Sequence, residues 1–448
     1  MRIGILGAGL SGVSLAFFLQ DSENINSISI LEKEMEYGGL CRSFPFHDIH
    51  YDIGPHILFS KDRSVMQLVI DFLSGNVHTI RRSNQIYHKC RYIKYPFEND
   101  LYHLPDEDRA YCLNTFLNNP YEKFRPANMM QFFLTTFGEG ITNLYLRPYN
   151  EKIWKFDPCF MDTQMVERIP KPPAEDIIKS AQGICTEGYV HQLNFQYPKT
   201  GGIASLVDGF AVRHNDKISL RTGFDIRHID RDNGTWKVTS AKGETLVFDR
   251  LVSTIPIPEL AMSLVHLLPD RILSATGELK SNSIIICPMR LEKDFLGANF
   301  VITCADSSII FHRLSKLDFL YDRQTAGDGS VTVVAEITYR KNDTIDAMTD
   351  DRIAQQVIDG LLKMQLINNP QECLDIIVKR FEYAYVIYDL NHRNNVDTIK
   401  HYYEHTLGIW LAGRFGEYEY LNMDSIVKRM LEKSIEIKKS LFIERMPE

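Results

Sequence analysis

The sequence has no long hydrophobic run. Over its 448 residues, no apolar stretch reaches the length of a membrane-spanning helix, which needs about 20 such residues. The chain also does not open with a basic region followed by a cleavable apolar segment, the pattern of a secretory signal. We therefore expect a cytoplasmic protein with no membrane span.

Sequence patterns for metal binding and disulfide formation are also missing. The eight cysteines include no CxxC pair, and the 14 histidines include no HExxH motif. These spacings are typical of zinc sites and of redox-active thiols. The sequence therefore predicts reduced cysteines in a reducing compartment and no metal ion.

Clusters of positive charge are absent as well. The formal net charge is −8, and no basic block interrupts the chain. Because nucleic-acid-binding surfaces are basic, we exclude nucleic acid as a partner. An anionic ligand would have to be held by a few individually placed arginines. No internal repeat, low-complexity tract or heptad pattern is found, and the length predicts two or three domains.

The first twelve residues contain the most informative motif. They read MRIGILGAGLSG, an apolar strand that runs into Gly7, Gly9 and Gly12 with the spacing G-x-G-x-x-G. In this pattern the first glycine permits the turn, the second lets a pyrophosphate approach the backbone, and the third lets the following helix pack on the strand. The next strand ends at Glu32, where a carboxylate meets the ribose of a bound dinucleotide.

A second glycine pair follows at Gly38-Gly39-Leu40-Cys41-Arg42-Ser43. A purely NAD-binding unit does not need it, whereas the longer FAD runs further along the sheet edge. The sequence therefore favours FAD, with Gly39, Leu40 and Ser43 as further candidate contacts.

The rest of the chain alternates between helical and strand periodicity. From about residue 65 to residue 184, apolar positions mostly recur every three or four residues, which predicts helices. Asn233-Gly234 predicts a hairpin between two strands. Near the end, an apolar strand closed by glycines precedes a helix that opens near Asp424.

We therefore predict an α/β fold with a Rossmann-like FAD-binding domain, a helical insertion and a mixed-sheet substrate domain. The FAD-binding domain is expected to be discontinuous, with strands from the start, the middle and the end of the chain. Its predicted parts are 1–85, 198–255 and 386–448; the mainly helical substrate- and nucleotide-binding insertion is 86–197, and the mixed β-sheet domain is 256–385.

Eight segments give the chain a specific resemblance to a known family. They are GAGLSG, GGLCRS, YDIGPHILFS, YIKYPFENDLYHLP, FGEGITNLYLRPYNEKIW, FQYPKTGG, STIPIPEL and GRFGEYEY. Their order and spacing resemble the UDP-galactopyranose mutases, over nearly the whole chain. These FAD enzymes interconvert the pyranose and furanose forms of a nucleotide sugar.

The resemblance implies the chemistry and the partners. N5 of the reduced flavin acts as the nucleophile toward the anomeric carbon of UDP-galactose or a relative, so NAD(P)H or another reductant must first prime the FAD. The implied partner is a nucleotide-sugar substrate, and a homo-oligomer remains open. The alternative is an FAD-dependent oxidoreductase of the amine-oxidase or protoporphyrinogen-oxidase type, which shares the FAD domain.

The resemblance also implies a set of site residues. His56 would lie beside the flavin ring, and Arg168 and Arg313 would neutralise the sugar diphosphate, for which planar guanidinium donors are well suited. Asn150 and Trp154 stand four apart, so they share one helical face where a nucleotide base could pack. The remaining implied substrate contacts are Tyr95, Phe97, Glu98, Gln192, Tyr385 and Tyr420, and the remaining implied FAD contacts are Ile226, Gly413, Arg414, Asn422 and Met423.

Three positions depart from the family pattern. Glu98 stands where the eukaryotic-type members have glutamine, Thr303 where the family has a tyrosine, and Gln192 where the family has an active-site asparagine, although Asn194 lies close by. A carboxylate cannot donate where an amide can. We interpret these changes as favouring an altered sugar or nucleotide, because the arginine pair that would bind the diphosphate is retained.

Overall fold

The computed structural model describes residues 1–166, 169, 171–186, 188, 193–323 and 325–443. Its strands are β1 (Arg2–Leu6), β2 (Ser27–Leu31), β3 (Ser43–Phe46), β4 (Ile49–Asp52), β5 (His78–Arg81), β6 (Asn84–His88), β7 (Arg91–Lys94), β8 (Asn194–Tyr197), β9 (Ile218–Arg221), β10 (Ile226–Asp232), β11 (Thr235–Ser240), β12 (Thr245–Phe248), β13 (Arg250–Ser253), β14 (Lys280–Leu291), β15 (Val301–Cys304), β16 (Arg313–Lys316), β17 (Val331–Tyr339), β18 (Cys373–Ile376), β19 (Lys379–Ile387) and β20 (Ile409–Leu411).

The α-helices are α1 (Leu10–Leu19), α2 (Arg63–Phe72), α3 (Asp106–Leu117), α4 (Met129–Ile141), α5 (Arg147–Trp154), α6 (Ala174–Ala181), α7 (Ala204–Ala211), α8 (Ile257–Ser263), α9 (Asp270–Gly277), α10 (Leu317–Leu320), α11 (Asp350–Lys363), α12 (His392–His401), α13 (Gly413–Gly416) and α14 (Met423–Ile443). Within the described ranges, none of these helices combines the length and the apolar character that a bilayer crossing requires.

A parallel sheet carries the glycine-rich motif. Its strand order is β20-β13-β1-β2-β9, with β1 at the centre. Apolar residues of α1, α7 and α14 pack with β1 and β2 into one core, which buries most of these two central strands. The strands come from the start, the middle and the end of the chain, and the predicted Rossmann-like architecture is confirmed.

A mixed sheet of eight strands forms the second layer. Its order is β18-β14-β17-β16-β15-β6-β7, and β19 pairs with the other part of β14. Neighbouring strands are antiparallel except for the parallel pair β6 and β15. All nine residues of β17 are buried, because separate apolar cores cover the two faces of this sheet.

The helical periodicity predicted for residues 65 to 184 does not hold throughout. Strands β5, β6 and β7 lie in that stretch, and β6 and β7 belong to the mixed sheet. The β6 strand is held by pairing with β15, more than 200 residues later in the chain, as in Val301 beside Asn84. Local periodicity cannot report such distant pairing.

The hairpin predicted at Asn233-Gly234 is confirmed. Strands β10 and β11 are antiparallel, with Asp232 opposite Thr235. Asn233 has φ +50° and Gly234 has φ +80°, the positive values that a two-residue type I′ turn requires.

Candidate active site

A cleft of about 1420 Å³ is lined by loops of the parallel sheet and by side chains of the mixed sheet. Gly7, Gly9 and Glu32 contribute from the loops after β1 and β2, and Trp154 and Arg313 contribute from α5 and β16. A single small-molecule site is usually roughly 300 to 1,000 Å³. The cleft therefore has room for a dinucleotide and a second ligand.

The glycine motif forms a close-fitting cradle at the sheet edge. Gly7 has φ +98°, and a Cβ on Gly12 would overlap the carbonyl oxygen of Gly7, so α1 packs directly on the turn. A Cβ on Gly39 would stand 3.0 Å from the Cα of Gly9. Glu32 accepts a hydrogen bond from the backbone N–H of Ala8 at 2.9 Å. This backbone can approach a pyrophosphate while Glu32 remains at the cleft wall.

Nine of the twelve predicted cofactor residues line the cleft: Gly7, Gly9, Glu32, Gly39, Leu40, Ile226, Arg414, Asn422 and Met423. The other three, Gly12, Ser43 and Gly413, are not among its lining residues. Gly12 and Gly413 serve close packing, against the Gly7 carbonyl and the Ser11 side chain respectively.

Ser43 instead belongs to a buried hydrogen-bond hub around Asp52. The Ser43 hydroxyl donates to Asp52 Oδ1 at 2.6 Å, the Tyr197 hydroxyl donates to Oδ2 at 2.7 Å, and the Ile203 N–H donates to Oδ1 at 3.2 Å. The hub ties β3 and β4 to β8 and to the start of α7. Ser43 therefore stabilises the strands next to the cleft and does not line the cleft itself.

The Asp52 hub predicts a pH dependence of stability. Burial raises the pKa of Asp52 from 3.8 to about 6, even though its three donors favour the ionised form. The folded protein thus keeps this proton up to about pH 6, whereas the unfolded chain releases it near pH 3.8. The protonated Asp52 therefore contributes to the free energy of unfolding. This contribution is complete below pH 3.8, the pKa of Asp52 in the unfolded chain, and is lost as the pH rises through about 6.

We expect the Asp52→Asn variant to lack this dependence. Between pH 4 and 6, the free energy of unfolding of the natural protein should fall by about 2 kcal/mol relative to the variant. Urea unfolding at a series of pH values measures the difference. Parallel curves for the two proteins would contradict the assignment.

Arg313 is held at the cleft by a fully buried carboxylate. Its Nε and Nη2 donate to the two oxygens of Glu336 at 2.6 and 2.5 Å, and Glu336 is 0% exposed. The two residues face each other across strands β16 and β17. Burial alone would lower the pKa of Arg313, but the charge of Glu336 outweighs it and holds that pKa well above its usual value.

The turn before His56 makes room for this pair. A Cβ on Gly54 would lie 3.0 Å from Glu336 Oε2, and Gly54 has φ +93°. Burial lowers the pKa of His56 to about 3, with further lowering by Arg414 and Arg313. The imidazole is therefore neutral near pH 7, and its buried Nδ1 has no hydrogen-bond partner among the described residues.

Arg414 is another arginine that lines the cleft. Its Cζ lies 4.5 Å from the ring centre of Tyr420 and 5.3 Å from that of Tyr385. Its Nε and Nη2 are buried without a hydrogen-bond partner in the part of the chain that the structure describes. A buried donor without a hydrogen bond costs free energy of folding. These two atoms therefore indicate a ligand with acceptor atoms at this position.

Tyr385 is poised as a hydrogen-bond donor beside both arginines. Burial raises its pKa to about 12, against the opposing effect of Arg313, so the phenol keeps its proton at neutral pH. Its ring stacks on Tyr420 with centroids 5.9 Å apart and meets Trp154 edge-on at 5.6 Å.

The segment that carries Tyr420 is fastened from α12 and the end of β19. The Tyr420 N–H donates to the Tyr388 hydroxyl at 2.6 Å. His392 Nε2 lies 2.9 Å from the carbonyl oxygen of Tyr418, a residue with φ +54°. These bonds fix the ring of Tyr420 under Arg414.

Asn150 and Trp154 share one face of α5, as their spacing predicts. The Trp154 indole N–H donates to Asn150 Oδ1 at 2.9 Å, and Asn150 Nδ2 donates to the Leu146 carbonyl at 2.7 Å. Both residues line the cleft. The amide thus orients the indole, which leaves the aromatic face as the main surface for a ligand.

Phe97 and Glu98 do not line the cleft. They open a 3-10 turn at Phe97–Asn99 that directs both side chains inward. Phe97 is 0% exposed and stacks on Tyr145 at 5.0 Å, and Glu98 is 4% exposed. Of the implied substrate contacts Tyr95, Phe97 and Glu98, only Tyr95 lines the cleft.

Tyr149 and Arg82 are among the cleft residues that were not predicted from the sequence. Tyr149 lines the cleft and stacks on Tyr145 at 5.3 Å, and Arg82 lines it from the loop before β6. Tyr149 directly precedes Asn150, a predicted site residue, and this position could have indicated that Tyr149 lies at the site. Thr303 also lines the cleft and shares a 3.1 Å hydrogen bond with the Tyr145 hydroxyl. Arg168 and Gln192 lie outside the described residues.

The family model of the flavin-containing amine oxidoreductases matches residues 10–402. The chain belongs to this family. A flavin cofactor follows from that membership, and the protein is a flavoenzyme. The glycine cradle and the two unpaired donors of Arg414 fit such a group.

Relatives of this flavoenzyme include the proteins that its sequence motifs resemble. The UDP-galactopyranose mutase of Mycoplasma pneumoniae is 25% identical over 180 residues, which is 37% of this chain and 43% of that relative. The matched region thus spans less than half of the length of this curated relative.

Solved structures establish the fold of this flavoenzyme. A reduced UDP-galactopyranose mutase superposes with a TM-score of 0.87 and 23% identity, covering 98% of this chain and 96% of that one. A protein assigned as a protoporphyrinogen oxidase, from Exiguobacterium sp. 255-15, has a TM-score of 0.78 and 16% identity, with 98% and 99% covered. The predicted resemblance to the mutases and the predicted fold class are confirmed.

Proposed function

We propose that this flavoenzyme interconverts the pyranose and furanose forms of a nucleoside-diphosphate sugar, UDP-galactose or a relative, with FAD as its cofactor. The observation that carries the proposal is Arg313, a cleft-lining guanidinium locked by two hydrogen bonds to the buried Glu336. A fixed cation in a partly desolvated cleft suits a diphosphate leaving group.

The bound, reduced cofactor supplies the nucleophile for the anomeric carbon. The chain's own residues act on the departing diphosphate. As the bond between the anomeric carbon and the diphosphate oxygen breaks, negative charge grows on that oxygen. Arg313 and the protonated hydroxyl of Tyr385 are fixed donors for this charge, so they stabilise the transition state more than the ground state.

His56 contributes a neutral imidazole beside the cofactor. Because its pKa is about 3, it adds no positive charge at neutral pH. Its buried Nδ1 has no hydrogen-bond partner among the described residues. A hydrogen bond between this atom and the cofactor would satisfy it.

The nucleotide base is proposed to pack on the aromatic faces of Trp154 and Tyr95. Trp154 is held by Asn150, so little side-chain entropy is lost on binding. Glu98 lies off the cleft, so its carboxylate does not itself argue against a uracil base. Residues proposed to hold FAD are the nine cleft-lining members of the predicted cofactor set.

The test of this assignment is nucleotide binding. UDP alone should bind the purified flavoprotein and perturb the flavin absorbance spectrum. Replacing Trp154 with Ala should raise the Kd for UDP about tenfold, because one base stack on an aromatic side chain is lost. Tyr111→Ala, an exposed aromatic on α3, is the matched control and should bind UDP normally.

The second candidate is an oxidoreductase, which the family and the protoporphyrinogen-oxidase-like fold both support. Such an enzyme would turn over in its oxidised form and consume oxygen. Absence of UDP binding together with oxygen uptake on an amine or similar hydride donor would replace the mutase assignment.

A further inference from the structure

Three metal-ligating side chains meet on the surface outside the cleft. His228 and Asp230 are two residues apart on β10. His266 lies in the short 3-10 turn Val265–Leu267 that follows α8. One ligating atom from each side chain lies within 4.8 Å of the other two. His266 Nε2 is 3.5 Å from Asp230 Oδ1, and the two imidazole rings stack with centroids 4.5 Å apart.

This donor set matches the coordination chemistry of zinc. Two imidazole nitrogens and a carboxylate, with water completing a tetrahedron, form a common zinc site. Bonds of about 2.1 Å place neighbouring donors about 3.4 Å apart, close to the distance already found between His266 and Asp230. The His228 donor lies within 4.8 Å of the other two and its side chain is exposed, so it would have to move closer to complete the site.

The surrounding charges permit a cation. Lys237 stands opposite Asp230 on β11, but its ammonium group is bonded to Asp232 at 2.6 Å. Arg227, also on β10, pairs with Asp225. Asp230 Oδ1 accepts a hydrogen bond from the Arg231 N–H at 2.8 Å, and the carboxylate also faces the His266 imidazole.

We propose that His228, Asp230 and His266 form a binding site for a divalent transition-metal ion, with Zn²⁺ the best match. The ion would join β10 to the segment after α8. Ile226 on β10 and Glu259 on α8 both line the cleft, so this link would brace the cleft wall beside Ile226, one of the implied FAD contacts. The site is separate from the reacting groups and does not depend on the proposed reaction.

Zinc titration of the purified flavoprotein against a chromogenic chelator tests the site. We expect tight binding of a single Zn²⁺, weakened at least about tenfold in His228→Ala and in His266→Ala. Zn²⁺ should also raise the Tm of the natural protein and leave the Tm of both variants unchanged.

The chain offers a matched control in His401 and His405. Their rings lie 4.9 Å apart, yet no carboxylate among the described residues completes a metal cluster there. His401→Ala should leave zinc affinity unchanged. Equal zinc affinity in the natural protein and in the His228 and His266 variants, or loss of affinity in His401→Ala, would overturn the proposal.

Discussion

Replacing Arg313 with alanine is expected to abolish sugar isomerisation while flavin stays bound. The guanidinium faces the proposed diphosphate, and loss of one fixed donor to a developing negative charge commonly slows a reaction by about 100-fold or more. Exchange between UDP-galactopyranose and UDP-galactofuranose on the reduced enzyme measures the effect, and the visible spectrum reports the flavin. Arg313→Lys should recover only part of the rate, because lysine lacks the planar fork.

The design must separate lost catalysis from lost folding. Arg313→Ala leaves Glu336 charged and buried, which typically costs about 3 to 5 kcal/mol. The double variant Arg313→Gln/Glu336→Gln removes both charges and keeps a pair that can form a hydrogen bond. The control is Arg147→Gln/Glu151→Gln, a salt bridge of 2.8 Å on α5 outside the cleft lining. If the Gln/Gln pair at 313 and 336 keeps the natural rate, Arg313 does not bind the diphosphate.

Replacing Arg414 with alanine is expected to weaken flavin binding at least tenfold. Its Nε and Nη2 are buried without partners among the described residues, and a hydrogen bond from a charged donor contributes about 1.5 to 3 kcal/mol. Flavin content after dialysis, and re-titration of the apoprotein with FAD, measure the change. Arg221→Gln, which removes a surface ion pair with Glu244, should keep its flavin.

A different outcome for Arg414 would also be informative. Normal flavin retention combined with weaker UDP binding would move this residue from the cofactor to the second ligand. The contact with Tyr420 at 4.5 Å would then belong to the substrate side of the cleft.

The glycine-rich turn after β1 could be predicted from the sequence because its determinants are local. The roles of Gly7, Gly9 and Gly12 follow from steric limits within one strand, turn and helix. Asn150 and Trp154 were placed on one face by helix geometry alone. Such features depend on residues a few positions apart.

The pairing of Arg313 with Glu336 could not be predicted in the same way. Arg313 could be chosen from its motif, but Glu336 lies 23 residues away and meets it only through the register of β16 and β17. Phe97 was misplaced because a 3-10 turn directs it into the core. Asp230 and His266 are 36 residues apart and are brought together by the fold alone.

The most direct test of the mutase assignment counts sugar molecules converted per reducing equivalent. The flavoenzyme is reduced once with dithionite under anaerobic conditions, supplied with UDP-galactopyranose, and sampled by chromatography while its spectrum is recorded. We predict many conversions per flavin with the spectrum remaining that of the reduced form, and no conversion by the oxidised enzyme. No more than one conversion per flavin, with the sugar oxidising the flavin in the same proportion, or conversion only in the oxidised form with oxygen uptake, would contradict the account.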